Sequence, residues 1–220
     1  MSTYNEARPK SFGEIVGQEP VTRYLNKQCK LHKWHHAYLF SGPSGTGKTT
    51  TARVLAAALN CGTMNGTGEP CGICPSCRNV VKGSHWDVME IDAADNRQIA
   101  DVRKLKSMAP LAPMGKTKVW IMDECHRFTP EAWDCLLKLI EEPPPNLKII
   151  LCTTDATQVP ETVQSRCVCL EFVAITSESA RLKLLRINPS VSERILDKIE
   201  EKFGDNMRKA ENLLEQMTLA

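Results

Sequence analysis

The run Gly42-Pro43-Ser44-Gly45-Thr46-Gly47-Lys48-Thr49 spaces its residues as G-x-x-x-x-G-K-[ST]. Residues of these types can grip a polyphosphate. The glycines let successive backbone N–H groups turn inward around phosphate oxygens. Lys48 can reach the β- and γ-phosphates, and the Thr49 hydroxyl can ligate Mg2+. About 75 residues further on, the apolar run Val119-Trp120-Ile121-Met122 ends in Asp123 and Glu124. Asp123 would hold Mg2+, directly or through water, and Glu124 would orient or deprotonate an attacking water. An Asp-Glu pair alone is more often a solvated turn; the phosphate loop upstream gives it weight. Binding without hydrolysis is the alternative, and an acid at Glu124 argues against it.

A third group is Cys61, Cys71, Cys74 and Cys77, spaced C-x9-C-x2-C-x2-C. Four thiolates so spaced can close a tetrahedral zinc site. The segment is rich in glycine and proline and has little apolar content to hold it, which zinc would supply. With no open position the site is expected to be structural. The alternatives are a C-x-x-C redox site and plain buried thiols. The other cysteines (29, 125, 135, 152, 167 and 169) fall mostly in apolar runs and are expected in the core.

These groups must be positioned by secondary structure. The runs AYLFSG, DVMEIDA, KVWIMDE, LKIILCTT and CVCLEFV are expected strands. Helices are expected over 48–60, over RQIADVRKLKSMA and over PEAWDCLLKLIEE, whose Trp133, Leu136, Leu137 and Ile140 recur at i, i+3, i+4, i+7. Near-continuous apolar strands alternating with helices indicate an α/β fold, a parallel sheet covered on both faces. The phosphate loop then leaves one strand and opens a helix, whose N-terminus favours an anion. Beyond about residue 175 the strands give way to helical patterns at 177–187, 190–203 and 206–217. The expected organisation is a nucleotide-binding domain over 1–174, carrying the cysteine insert 61–77, and a small helical lid over 175–220.

The totals exclude some classes. With 220 residues, 42% hydrophobic and 25% charged, the chain can bury a core. A net charge of +2 is too small for a general polyanion binder, so any nucleic-acid surface must be local. In RQIADVRKLKSMA, Ile99, Val102 and Leu105 form one stripe at helical spacing, and Arg97, Arg103 and Lys104 fall opposite. A solvated basic face is the plain reading of that pattern. The N-terminal residues are polar and no apolar run approaches the roughly 20 residues that span a bilayer. A cytoplasmic protein with reduced cysteines and no membrane partner is expected.

Together RPKSFGEIVGQE, HHAYLFSGPSGTGKT, the four-cysteine insert, EIDAADNRQIADVR, MDECH, LLKLIEEPP, TTDATQVPETVQSRC and GDNMRKAENLLEQ resemble, in order and spacing, the AAA+ clamp-loader ATPases of the bacterial DNA polymerase III gamma/tau group. The resemblance covers essentially the whole chain. It implies an AAA+ P-loop domain of five parallel strands followed by a helical lid, with ATP and Mg2+ as cofactors and zinc in the insert. It implies nucleotide contacts from Arg8, Pro9, Val16 and Gly17 around adenine, and from Gly42, Pro43, Ser44, Gly45, Thr46, Gly47, Lys48, Thr49 and Thr50 around the phosphates. Thr154 would sense the attacking water, and Arg208 would reach from the lid to the nucleotide. Arg166, in Ser165-Arg166-Cys167, would act in trans as an arginine finger on a neighbouring subunit's γ-phosphate. A planar, always-charged fork suits that task, although a surface arginine capping a carbonyl is the plain alternative.

Arg97, Arg103 and Lys104 would face the DNA backbone. The implied partners are other loader subunits in a pentamer, a sliding clamp and primer–template DNA. The implied function is ATP-driven opening and loading of the clamp in replication. Two alternatives stay open, a structural subunit like the family's delta-prime member and another AAA+ motor such as a helicase loader or branch-migration enzyme. Family members continue into a helical collar, for which this sequence has no counterpart. The expectation is an excised piece or a compact relative, cellular or viral.

Overall fold

The computed structural model describes residues 8–64, 66–95, 99–203, 209–210 and 213–214. Its frame is a sheet of five parallel strands: β1 (Ala37–Ser41), β2 (Val88–Asp92), β3 (Lys118–Asp123), β4 (Leu147–Thr153) and β5 (Val168–Glu171). Their spatial order is β2-β3-β4-β1-β5. The five expected strands are all present.

The period-two alternation of side chains sorts each strand onto two faces. Tyr38, Phe40, Val119, Ile121, Ile150 and Cys152 point to one face, where they pack with α1 (Glu19–Leu31), α2 (Lys48–Asn60) and α3 (Pro75–Lys82). Ala37, Leu39, Trp120, Met122, Ile149 and Leu151 point to the other, against α4 (Ile99–Met108), α5 (Pro130–Glu141) and the short α6 (Glu161–Gln164). Both faces are covered, which is why the central strands read as unbroken apolar runs.

The register decides where chemistry can gather. Ser41 pairs with Thr153, Met122 with Leu151, and Asp92 with Asp123. The carboxyl ends of β1, β2, β3 and β4 therefore lie along one edge. In open parallel sheets that edge is where ligands bind.

After β5 come α7 (Ser177–Ile187) and α8 (Glu193–Phe203). A separate apolar cluster joins Ile175, Ala180, Leu184, Leu196, Ile199, Ala210 and Leu214. Arg181 ties α7 to α8 through ion pairs with Glu193, Asp197 and Glu200.

Several elements differ from expectation. The segment 19–31 is a helix that no strong pattern announced; its buried side chains are only Val21, Thr22, Leu25 and Cys29. The cysteine insert is not all loop: Pro75–Lys82 is helical, with Cys74 as N-cap and Pro75 in the first turn. The helix expected from residue 190 starts at Glu193. Cys29, Cys125 and Cys152 are buried as expected, whereas Cys169 is exposed, because alternation on an edge strand turns it outward. Arg97 and Arg208 lie outside the described residues, as does most of 206–217. Among the described residues, no helix is long and apolar enough to cross a membrane.

Candidate nucleotide site and cysteine cluster

The phosphate loop leaves β1 and enters α2 at Gly47, whose φ of +97° is left-handed. Gly42 has φ +143°, and a Cβ there would lie 2.1 Å from the Phe172 carbonyl oxygen. Only glycine lets the loop pass so close to the end of β5. Thr46 is buried and its hydroxyl donates to the Pro43 carbonyl at 2.9 Å, which braces the turn from within. Lys48 is 6% exposed, and its ammonium donates to the Gly42 and Pro43 carbonyls at 2.8 Å each. Pro43 and Ser44 are exposed at the tip; Gly45 and Thr50 are half-buried.

The two halves of the expected magnesium site meet. The Thr49 hydroxyl donates to Asp123 Oδ2 at 2.8 Å, joining the first turn of α2 to the end of β3. A cleft of about 320 Å³ beside them is lined by Arg8, Thr49, Thr50, Arg53, Asp92 and Asp123 among others. Pro9 lines an adjoining recess with Arg8 and Thr50. Val16 and Gly17 do not line the cleft. A Cβ on Gly17, whose φ is +76°, would come within 3.6 Å of Ile175.

Glu124 departs from its strand abruptly. Its φ of +48° is rare for a residue with a side chain, and its N–H donates to Asp123 Oδ1 at 3.0 Å. The left-handed turn swings its carboxylate toward the end of β4, where the Thr154 hydroxyl donates to Oε2 at 3.2 Å. His126 Nδ1 lies 3.4 Å from the same oxygen and 3.1 Å from Thr153 Oγ1. Behind these groups, burial pushes the Cys125 and Cys152 thiols well above their ordinary pKa, so they stay neutral.

Arg166 stands apart from this site. Its guanidinium pairs with Glu141 Oε1 at 2.8 Å and donates to the Thr162 carbonyl at 2.7 Å and the Ser165 hydroxyl at 3.4 Å. Its side chain is 40% exposed. Within one chain it thus makes the carbonyl-capping contact of the plain reading, and it gains an acidic partner that was invisible in its local sequence. On α4, Arg103 and Lys104 are exposed while Val102 and Leu105 are buried, the two-sided pattern expected there.

Cys61, Cys71, Cys74 and Cys77 converge, with their sulfurs all within 4.8 Å of one another. A tetrahedral zinc with Zn–S bonds of about 2.3 Å needs sulfurs about 3.8 Å apart, so small rotamer adjustments suffice. The N–H groups of Cys71, Cys74 and Cys77 donate to the sulfurs of Cys61, Cys71 and Cys74 at 3.3–3.5 Å. Such donors favour thiolates. The Cys71 thiol is lowered to about 6 by the Thr63 hydroxyl and by the N–H groups of Cys74 and Ile73. None of the four is in a disulfide. The donor set fits zinc.

Sequence reasoning assigned no role to His126, Thr153, Glu141 or Gln18. His126 and Thr153 lay inside quoted motifs, but their approach to Glu124 depends on the left-handed turn at that residue and on the pairing of β3 with β4, which spacing along the chain does not encode. Gln18, 1% exposed, donates to the Val173 carbonyl at 2.8 Å and accepts from the Val173 N–H at 3.1 Å. It pins the segment after Gly17 to the chain leaving β5.

The sheet order and the loop at the end of β1 define an AAA+ type P-loop fold. RuvB of Thermotoga maritima, a Holliday junction branch migration motor, superposes with a TM-score of 0.69 over 95% of this chain and 64% of its own. Identity there is 20%, so the likeness concerns the fold alone. The family model for the DNA polymerase III delta subunit matches residues 17–176. The chain belongs to that family, and the clamp-loader resemblance drawn from its motifs holds.

Among curated relatives, DNA polymerase III subunit tau of Bacillus subtilis is 39% identical over 97% of this chain and 38% of its own length. Subunit tau of Escherichia coli is 42% identical over 82% of this chain and 28% of its own. Protein STICHEL-like 1 of Arabidopsis thaliana is 37% identical over 96% of this chain and 20% of its own. The chain thus spans well under half the length of these relatives.

Proposed function

We propose that this chain is an ATPase subunit of a DNA sliding-clamp loader, which uses ATP binding and hydrolysis to open a clamp and place it on primer–template DNA. The contact that carries this reading is Thr49 Oγ1 to Asp123 Oδ2 at 2.8 Å, beside a lysine-bearing phosphate loop and a constrained Glu124. A purely structural subunit has no use for all three. The relatives named tau, rather than the delta description of the family model, agree with an intact nucleotide site.

In this reading residues 1–174 form the nucleotide-binding domain and residues 175–220 the lid. The loop 42–50 wraps the phosphates, Gly42 and Pro43 shaping its entry and the backbone N–H groups of residues 44–50 facing the oxygens, with Lys48 turning from its loop carbonyls to the β- and γ-oxygens. Arg8 and Pro9 close the cleft, and Val16 and Gly17 sit by the base. Thr49 and Asp123 hold Mg2+, which supplies positive charge to the developing phosphoryl oxygens. Glu124 accepts the proton of the attacking water, and Thr154 monitors its position. Arg166 exchanges its Glu141 partner for a neighbour's γ-phosphate, and Arg208 reports lid angle. Arg97, Arg103 and Lys104 track the DNA backbone. Cys61, Cys71, Cys74 and Cys77 hold a structural zinc.

Steady-state ATP turnover, with and without primed DNA and the cognate clamp, tests the reading. Joint stimulation is expected. Glu124→Gln should abolish turnover, and Arg166→Ala should cut it about 1,000-fold or more in the assembly. Turnover indifferent to clamp and to Arg166 would refute the loader reading. No turnover of the unaltered assembly would leave a structural subunit.

A further inference from the structure

We propose that His126 is a positioning residue for Glu124, fixing the orientation of the carboxylate that receives the proton of the attacking water. The proposal rests on the reading of Glu124 as that base. It starts from a strained backbone. A glutamate at φ +48° costs free energy that a solvated turn has no reason to carry. What the left-handed turn achieves is to bring the carboxylate off the β3 line and beside the Thr154 hydroxyl and the His126 ring.

The hydrogen-bond arithmetic assigns the proton on His126. Thr153 is fully buried at the end of β4, between β3 and β1. Its hydroxyl proton goes to the Asp155 carbonyl at 2.9 Å, and its oxygen accepts the Asp155 N–H at 2.9 Å. The lone pair left on Thr153 Oγ1 meets His126 Nδ1 at 3.1 Å, a contact completed by the tautomer with hydrogen on Nδ1. Glu124 Oε2 lies 3.4 Å from the same nitrogen, a charge–dipole contact rather than a second hydrogen bond. The ring is anchored by a buried hydroxyl of a central strand, with its side chain only 13% exposed.

The two contacts on Glu124 have different standing. Thr154 is exposed and can be drawn away by an arriving water or phosphate. His126 is held from behind by the sheet and stays. Both contacts, the Thr154 hydrogen bond and the His126 ring nitrogen, fall on Oε2; among the described residues Oε1 has no hydrogen-bond partner and is the oxygen left to receive a proton. A base whose second oxygen rests against a fixed polar ring loses less orientational freedom at the moment of reaction. Misplacing a reacting group by about 1 Å can cost about 100-fold in rate.

Asparagine can place its amide N–H near the position of Nδ1–H, whereas leucine fills the space without a donor. The test therefore compares unaltered protein, His126→Leu, His126→Asn, Glu124→Gln and the His126→Leu/Glu124→Gln pair in the assembled loader. ATP turnover, ATP affinity and thermal midpoint are read for each.

His126→Leu is expected to lower kcat by about 100-fold, with ATP affinity within about two-fold of the unaltered protein. His126→Asn should restore much of the loss, and the pair should be no slower than Glu124→Gln alone, because both changes remove one unit. Turnover of His126→Leu close to normal, while Glu124→Gln abolishes it, overturns this proposal and leaves the ATPase reading standing. Equal losses in the Leu and Asn variants with a lowered thermal midpoint also overturn it, in favour of a packing role. Normal turnover in Glu124→Gln overturns both readings.

Discussion

Gly42→Ala offers a quantitative test of how closely the phosphate loop is threaded past β5. The new Cβ would stand 2.1 Å from the Phe172 carbonyl oxygen, 2.9 Å from its carbonyl carbon and 3.0 Å from its Cβ. Relief requires the backbone at Phe172 to retreat by about 1 Å. That backbone is not free to move: the Phe172 N–H donates to the Ser41 carbonyl at 2.7 Å, and its ring is 1% exposed against Phe40. The strained φ costs about 1–3 kcal/mol. Weakening one backbone hydrogen bond adds about 1 kcal/mol, and the overpacking adds about 1–3 kcal/mol.

A loss of about 3 kcal/mol or more is expected, a large part of the roughly 5–15 kcal/mol that holds a domain. Gly47→Ala is the control. It too has positive φ, +97°, but nothing lies within 4 Å of its Cβ, so only conformational strain of about 1–2 kcal/mol applies. Urea unfolding followed by far-ultraviolet circular dichroism, with the slope compared among the three proteins, gives both values. If the two variants lose equal stability within about 0.5 kcal/mol, the steric reasoning is wrong and the end of β5 yields freely.

Two further outcomes are expected. Elemental analysis should find zinc at about one per chain, lost on Cys61→Ser. Chelation should lower the thermal midpoint and unravel α3, whose N-cap is Cys74, because structural zinc contributes on the order of 10 kcal/mol to folding; a metal-free protein with unchanged melting would rule the site out. Asp155 has its pKa lowered by the Thr157 hydroxyl, the Gln158 amide and the Thr157 N–H. A depressed carboxylate stabilises the fold above its unfolded pKa, about 3.9, and ceases to do so as pH falls through the lower folded value. Asp155→Ala should therefore melt earlier than the unaltered protein near neutral pH, and the gap should close in acid; a gap undiminished at low pH would contradict the assignment.

The elements visible in the sequence were those whose physics is local. The three central strands announced themselves because burial on both faces makes each a nearly unbroken apolar run, whereas the edge strands β2 and β5 are shorter runs carrying Glu90 and Glu171. The helix 48–60 and the phosphate loop were legible because glycine, lysine and threonine are demanded at fixed offsets by one turn and one helix start. The helix at 19–31 was missed because it hides only four side chains, one of them a threonine, along an otherwise polar segment. The helix 75–82 was missed because the glycines and prolines around it suggest a loop, while its cap, Cys74 accepting from the Cys77 N–H, is not one of the usual capping residue types.

What the sequence by itself determined is the inventory: a polyphosphate loop, an acid pair ending an apolar strand, four cysteines at ligand spacing, and an arginine with no acid near it in the chain. What only the tertiary structure decided is adjacency. Thr49 reaches Asp123 because β1 and β3 flank β4 in register, so residues 74 positions apart end on one edge. Glu124, His126 and Thr153 meet because the chain turns left-handed at one residue and breaks the strand periodicity that local reading relies on. Arg166 finds Glu141 because α5 ends where α6 does. Spacing along a chain encodes which face a residue takes within one element. Contacts between elements follow from strand order and packing, which hydrophobic burial settles over the whole sheet at once.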